Sequence, residues 1–439
     1  MARQSALQAT RGNAQARALC STRHLWGTAG IVSGLMMLAC EAGFGQEALR
    51  TSLATAAAIG PHQMDLENLP YTFKTGDLRL RVTPSLGIDW NDNVNAAKDN
   101  PEDDFILRPM LGFNLSLPVT ERNLLQLNVN FGYDKYFRHD ELSTWRIGSD
   151  SVLSFDIFIK DFQINLHDRF NYVQDSAQEA GVAGTGKYGE IYNTVGLLTS
   201  WSLKDVNFSL GYDHQTTISP ASEFSSNDRS SELFVGRTGY QFEPTITAGV
   251  EGTAALTRYN QAVLNDNNNY SAGVYGDWQP GSYLHVSARG GYTITEFQAT
   301  SGSIRTKDLN SWYADVTITH AVTKAISYGM SVGHEVRLGV QTADAIEDTY
   351  VRPTATWSFI RDWPFRTFLS YEHGNQGVGN VVGNLVETYD WFGGGIGFSH
   401  AITDRLSANL DYRLTIRSST TPSRGYTQNV VTLMLSYHL

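Results

Sequence analysis

The residues with the most recognisable chemical spacing are Gly181-Val182-Ala183-Gly184-Thr185-Gly186-Lys187-Tyr188. They follow the phosphate-binding pattern G-x-x-x-x-G-K up to the last position, where Tyr188 replaces Ser or Thr. The missing hydroxyl is the one that would hold Mg²⁺, and no helical pattern follows to aim an N-terminus at phosphate. A flexible Gly-rich outer loop is expected here, not a nucleotide site. Asp92, Asp99, Glu102, Asp103 and Asp104 crowd an earlier segment and could gather Ca²⁺ through carboxylates. Their spacing fits no calcium loop, so a solvated acidic loop is expected. No two His stand at H-x-x-x-H spacing, and both cysteines, Cys20 and Cys40, lie near the front. No metal or cofactor follows from these residues. A hydrolase would need one of His167, His214, His285, His334 or His373 to meet a Ser or Asp at a rim. Nothing in the spacing marks such a meeting, so no enzyme is expected.

A second chemical set is more regular. Arg79, Arg81, Asp89, Asp134, Arg169, Asp213, Arg289, Glu335, Arg337, Asp411, Arg413 and Arg417 each fall on the polar side of an alternating run. In a strand, alternate side chains share a face, so these charges lie opposite the Leu, Val and Tyr residues beside them. If the apolar face meets lipid, the charges point into a lumen. An Arg facing lipid near mid-membrane would cost about 2–4 kcal/mol, whereas one in a wet lumen is solvated and can set selectivity. Barrels of about 16 to 18 strands normally keep an aqueous channel, which favours lining a pore over pairing across a filled interior. Asp168 is the exception. It breaks the apolar face of Phe162, Ile164, Leu166, Phe170 and Tyr172, and marks an interface, a bulge or a shifted register.

Strands must position these residues, because the hydrophobic period is two and not 3.6. From Asp77 onward, Leu78, Leu80, Val82, Leu86, Ile88 and Trp90 alternate with polar residues. The same pattern returns at Leu125–Tyr133, Val206–Tyr212 and Leu406–Ile416. Such runs extend over about 10 to 15 residues, longer than the five or six usual in soluble sheets and near the 9 to 11 a tilted spanning strand needs. Short turns fall near Pro118–Arg122, Lys160-Asp161, Lys204-Asp205, Glu243-Pro244, Pro280-Gly281, Thr323-Lys324, Arg361–Pro364 and Thr403-Asp404. Longer loops fall near 91–104, 138–143, 175–188, 218–228, 261–267, 297–308, 341–347, 376–385 and 419–425. Eight short and nine long connections join about eighteen strands with both ends of the barrel on the short-turn side, the outer-membrane arrangement. The fold class expected is thus all-β: a transmembrane antiparallel up-and-down barrel. Its last stretch, Tyr426–Leu439, should lie against Arg405–Ser418 and close onto Asp77–Trp90, since hydrocarbon tolerates no open sheet edge.

Composition agrees. Hydrophobic residues make up 41% and aromatics 11%, and the mean hydropathy of -0.27 is too polar for a helical membrane bundle. A formal charge of -11 argues against nucleic acid as a partner. Arg3, Arg11, Arg17 and Arg23 precede an apolar run, Leu25–Ala39, and then Ala42-Gly43-Phe44-Gly45. This is a secretory signal pattern, which places the domains at 1–45 (signal peptide), 46–76 (a short periplasmic extension) and 77–439 (the barrel). Removing 1–45 takes a net +3 from -11, so the mature chain carries about -14.

At Pro84-Ser85-Leu86-Gly87-Ile88-Asp89-Trp90-Asn91-Asp92-Asn93-Val94 the chain resembles the beta-barrel porin 2 family, whose members open with a Pro-led strand running into an aromatic and then Asp-Asn-Val. The resemblance would cover residues from about 70 to 439. It implies a channel of the Gram-negative outer membrane associated with exopolysaccharide secretion. Expected partners are then outer-membrane lipid, the barrel assembly machinery and periplasmic polysaccharide export proteins. A general or sugar-specific diffusion porin is the first alternative. A barrel-embedded hydrolase and a non-conducting structural barrel are the others.

Overall fold

The computed structural model describes residues 71–298, 306–340, 343–360, 363–379 and 386–439. The signal peptide and most of the 46–76 extension fall outside the described residues. Twenty strand segments follow one another: β1 (Phe73–Thr75), β2 (Leu78–Asn91), β3 (Asp104–Pro118), β4 (Leu124–Tyr136), β5 (Thr144–Ile147), β6 (Val152–Ile159), β7 (Phe162–Gln174), β8 (Gly189–Leu203), β9 (Val206–Ile218), β10 (Arg229–Glu243), β11 (Ile246–Tyr259), β12 (Asp266–Gly281), β13 (Leu284–Gln298), β14 (Leu309–Thr323), β15 (Ile326–Leu338), β16 (Ala345–Ile360), β17 (Trp363–Gln376), β18 (Glu387–Ala401), β19 (Leu406–Ser419) and β20 (Tyr426–Tyr437). Neighbours pair antiparallel throughout. Because β5 and β6 both lie between β4 and β7, they are two halves of one stave. With β1 a short strand on the edge of β2, the wall has eighteen staves, as the connections predict.

Alternation decides which way each side chain faces. Leu86, Ile88 and Trp90 are exposed on the outside, while Asp89 and Asn91 between them are buried inside. Large exposed aromatics form two belts. Trp201, Tyr240, Phe242, Trp278 and Trp363 sit near the short turns, and Trp90, Phe105, Trp145 and Trp312 sit toward the long loops. An apolar band between aromatic girdles, on a closed sheet, is the exterior of an outer-membrane barrel. Among the described residues no helix is long and apolar enough to cross a membrane. The barrel crosses with strands instead.

The seam closes in two parts. β20 pairs with β19 from Leu406↔Tyr437 to Arg417↔Tyr426, but with β2 only from Ser85↔Ser436 to Asn91↔Val430. The expected zipper to Asp77–Trp90 is therefore half-length. β20 spans Tyr426–Tyr437, and β1 takes over the free edge of β2 through Phe73↔Leu80 and Thr75↔Leu78. Thr72 ties the pieces together, donating its hydroxyl to the Leu439 carbonyl at 2.9 Å. At the other end of the seam the Asp92-Asn93-Val94 segment is a latch. Asp92 accepts from the Asn429 backbone N–H at 2.6 Å and from its Nδ2 at 2.7 Å. Gln428 donates to the Asn93 carbonyl at 2.7 Å, and Asn93 Nδ2 donates to the Thr427 carbonyl at 2.9 Å.

Register runs unbroken through Asp168, which faces Leu153 and Val195. Neither a bulge nor a shifted register explains it. Asp168 stands on the outer face and accepts a 2.7 Å hydrogen bond from Asn193 Nδ2.

Candidate functional site: a loop across the lumen

The connection from β7 to β8, residues 175–188, does not project outward. Ala177, Ala180, Val182 and Ala183 make it too apolar to favour solvent, and all four are buried, Val182 completely. Val182 packs with Val340 and Ile346 of the β15–β16 end, with Tyr389 of β18, and with Tyr188 and Phe224. Glycines make this fold possible at two points. A Cβ on Gly181 would sit 2.6 Å from Val340 Cγ2, and Gly184 has φ +76°, a region costly for other residues. The Gly-rich stretch is accordingly a packed strap inside the barrel, which corrects the expectation of a flexible outer loop.

Charge pins the strap to the far wall. Asp175 accepts from Arg413 Nη2 at 2.8 Å, and Glu179 accepts from Arg337 Nη1 at 2.9 Å. Arg417 Nε donates to the Ala180 carbonyl at 2.7 Å, and Arg424 Nη2 donates to the Gly181 carbonyl at 2.7 Å. On the seam side, the Gly184 N–H donates to the Ala96 carbonyl at 2.8 Å. Burial opposes the Asp175 carboxylate, yet Arg413 above all, with Arg108 and Gln178, holds it below the usual carboxylate range. Burial, reinforced by Glu190 and Glu179, pushes the Tyr188 phenol well above its ordinary range.

All twelve charges expected on the polar face point inward, but most are paired. Asp89 meets Arg108 at 2.5 Å. Asp134 meets Arg108 at 3.1 Å and Arg146 at 3.3 Å. Asp213 meets His167 at 3.0 Å, and Asp411 meets Arg366 at 3.1 Å. Arg81 contacts His438 Nδ1 at 2.8 Å, and Arg289 lies 4.0 Å from Asp315. Arg337, Arg413 and Arg417 anchor the strap, with Arg337 also holding Asp348 and Glu372, and Arg417 holding Glu387. Among the described residues, the side chains of Arg79, Arg169 and Glu335 make no hydrogen bond or ion pair. Paired and unpaired charges thus stand together on the inner face of one wall.

Beside the strap a chamber opens against β10–β16. Arg237, Glu251, Asn269, Arg289, Tyr313 and Glu335 are among its lining residues. Arg237 bonds Glu251 at 2.6 Å and lies over the Tyr275 ring at 4.3 Å. Tyr313 donates to Glu251 at 2.8 Å. The partners Arg108, Arg237, Glu251, Arg352, Glu372 and Glu387 were not singled out from the sequence. Arg237 and Glu251 could have been, since they flank the Glu243-Pro244 turn and face each other across that hairpin.

The first-loop carboxylates are less solvated than expected. Asp92 is the seam latch, and the fully buried Asp104 accepts backbone N–H bonds from Phe105, Arg138 and His139. His167 has both ring nitrogens occupied, Nε2 by Asp213 at 3.0 Å and Nδ1 by Asn165 at 2.9 Å.

No family model matches the sequence, and no curated protein matches it. The resemblance to the beta-barrel porin 2 family accordingly rests on Pro84–Val94, whose residues here serve the seam. The chain is similar in structure to several solved proteins. OccK2 (OpdF) of Pseudomonas aeruginosa, in complex with glucuronate, is 9% identical over 83% of this chain and 98% of that one, with a TM-score of 0.48. OccK5 (OpdH) of the same species is 10% identical over 82% and 98%, at 0.45. OccAB4 of Acinetobacter baumannii is 10% identical over 83% and 99%, also at 0.45.

Proposed function

We propose that this outer-membrane barrel is a passive diffusion channel for small polar solutes, and that the inward charges line its path. The observation that carries this reading is the strap at 175–188, pinned to the far wall by Arg337, Arg413, Arg417 and Arg424. A polysaccharide exporter needs a lumen that lets a hydrated polymer slide through. A packed segment with its apolar residues buried against that wall favours the diffusion alternative instead. Solutes would exchange part of their hydration for hydrogen bonds and charges on the wall, with no catalysis and no energy coupling in the chain. Outer-membrane lipid and the barrel assembly machinery are the partners this reading requires.

Purified protein in planar bilayers tests it. Discrete, ohmic current steps are the expected result. A correctly folded barrel that carries no current would leave the non-conducting structural reading.

A further inference from the structure

The geometry points to Glu335 as the residue that makes the chamber selective for small cations, so that its preferred solute is an amine or guanidinium cation able to hydrogen-bond. This rests on the diffusion reading and deepens it. Every arginine around the chamber is already matched by acid. Arg237 holds Glu251 at 2.6 Å, and Arg289 faces Asp315 at 4.0 Å. Arg337 is shared by Asp348 at 2.7 Å, Glu372 at 2.8 Å and Glu179 at 2.9 Å. Arg352 lies 3.7 Å from Glu372. An anion entering the chamber would have to compete with a wall carboxylate for each guanidinium.

Glu335 is different. It lines the chamber, is only half-buried, and makes no hydrogen bond or ion pair among the described residues. Its cross-strand neighbour is Asp348, itself a carboxylate. Like charges placed directly opposite destabilise a sheet, so this arrangement has no structural benefit of its own. β14 offers nothing to neutralise it, because Leu309–Thr323 carries no Lys or Arg. Asn269, whose Nδ2 bonds Thr293 and Thr295, and Tyr313 supply polar wall nearby for the rest of a solute. An unpaired carboxylate in a wet, confined space attracts cations and repels anions.

Reversal potentials across bilayers in a KCl gradient, with wild-type protein and Glu335→Gln, test the assignment. Potassium should permeate in preference to chloride, and Glu335→Gln should lower that ratio roughly threefold or more, the scale expected for one screened charge at a few ångströms. The glutamine variant removes a like-charge contact, so it should fold; boiling-dependent gel mobility checks this. Entry of lysine hydrochloride into liposomes should outpace that of sodium gluconate, and the difference should shrink in the variant. Current with chloride preference, or a ratio that the substitution leaves unchanged in a folded barrel, overturns the assignment alone. Absence of any current in the wild type overturns the diffusion reading and this inference together.

Discussion

Replacing Asp175 and Glu179 together by alanine should turn a closed strap into one that opens often. Each substitution removes one charged hydrogen bond to the far wall, at 2.8 Å to Arg413 and at 2.9 Å to Arg337, and one bond within the strap, from Gln178 and from the Gly181 N–H. All four charged side chains are at least three-quarters buried, so solvent screening reduces these contacts little. Hydrogen bonds to charged groups contribute about 1.5–3 kcal/mol each. Arg337 keeps Asp348 and Glu372, whereas Arg413 keeps no acid partner among the described residues, so the lower figure is a minimum. Two bonds at about 1.5 kcal/mol lower the cost of opening by about 3 kcal/mol, which at about 1.4 kcal/mol per decade is roughly a hundredfold rise in the open fraction. Val182 burial and the carbonyl anchors from Arg417 and Arg424 remain, so the strap should still spend most of its time home. Single-channel recording reads this directly, as brief excursions to a larger conductance. If the folded double variant shows the same conductance and the same rare excursions as the wild type, the strap does not narrow the path.

Other predictions follow from the same contacts. Gly181→Val should also raise the frequency of large openings, because its side chain would overlap Val340, already 2.6 Å from an ideal Cβ; thermal stability of the barrel should change much less. Asp175 has a folded pKa held below the usual 3.8, so its contribution is complete above that value and is lost only as pH falls through the lower one. Opening frequency should therefore stay flat from neutral pH down to 3.8 and rise only below it, whereas a rise beginning nearer neutrality would mean another group controls the strap. Deleting Leu435–Leu439 removes the pairs Leu435↔Ala408, Ser436↔Ser407 and Tyr437↔Leu406, together with the Thr72 contact to Leu439. Assembly into the outer membrane should fail, and normal heat-modifiable insertion of the truncated chain would count against the two-part seam.

Much of the barrel was legible because a lipid-facing sheet imposes a strict period of two over long runs. Leu78–Trp90, Val206–Tyr212 and Leu406–Ile416 display that period without interruption, and turn length then fixes which end is which. The inward direction of Arg337, Arg413 and Arg417 was legible for the same reason. Their task was not. Arg417 meets Ala180 across 237 residues of chain and Arg424 meets Gly181 across 243, contacts to which local pattern is blind. Gly181–Tyr188 misled for a physical reason too: glycine permits flexibility and close approach alike, and only Val340 and Ala96 on distant elements decide between them. Asp168 remained a local anomaly in both views, with Asn193 as the partner its neighbours could not reveal.

Small-solute diffusion is the central claim, and swelling of liposomes loaded with the purified protein tests it most directly. A graded series of uncharged sugars, from a monosaccharide to a long oligosaccharide, should enter at rates that fall steeply with size. The D175A/E179A barrel should admit larger members than the wild type. If no sugar enters, or if long chains enter as readily as single rings, a diffusion channel narrowed by the 175–188 strap is the wrong account.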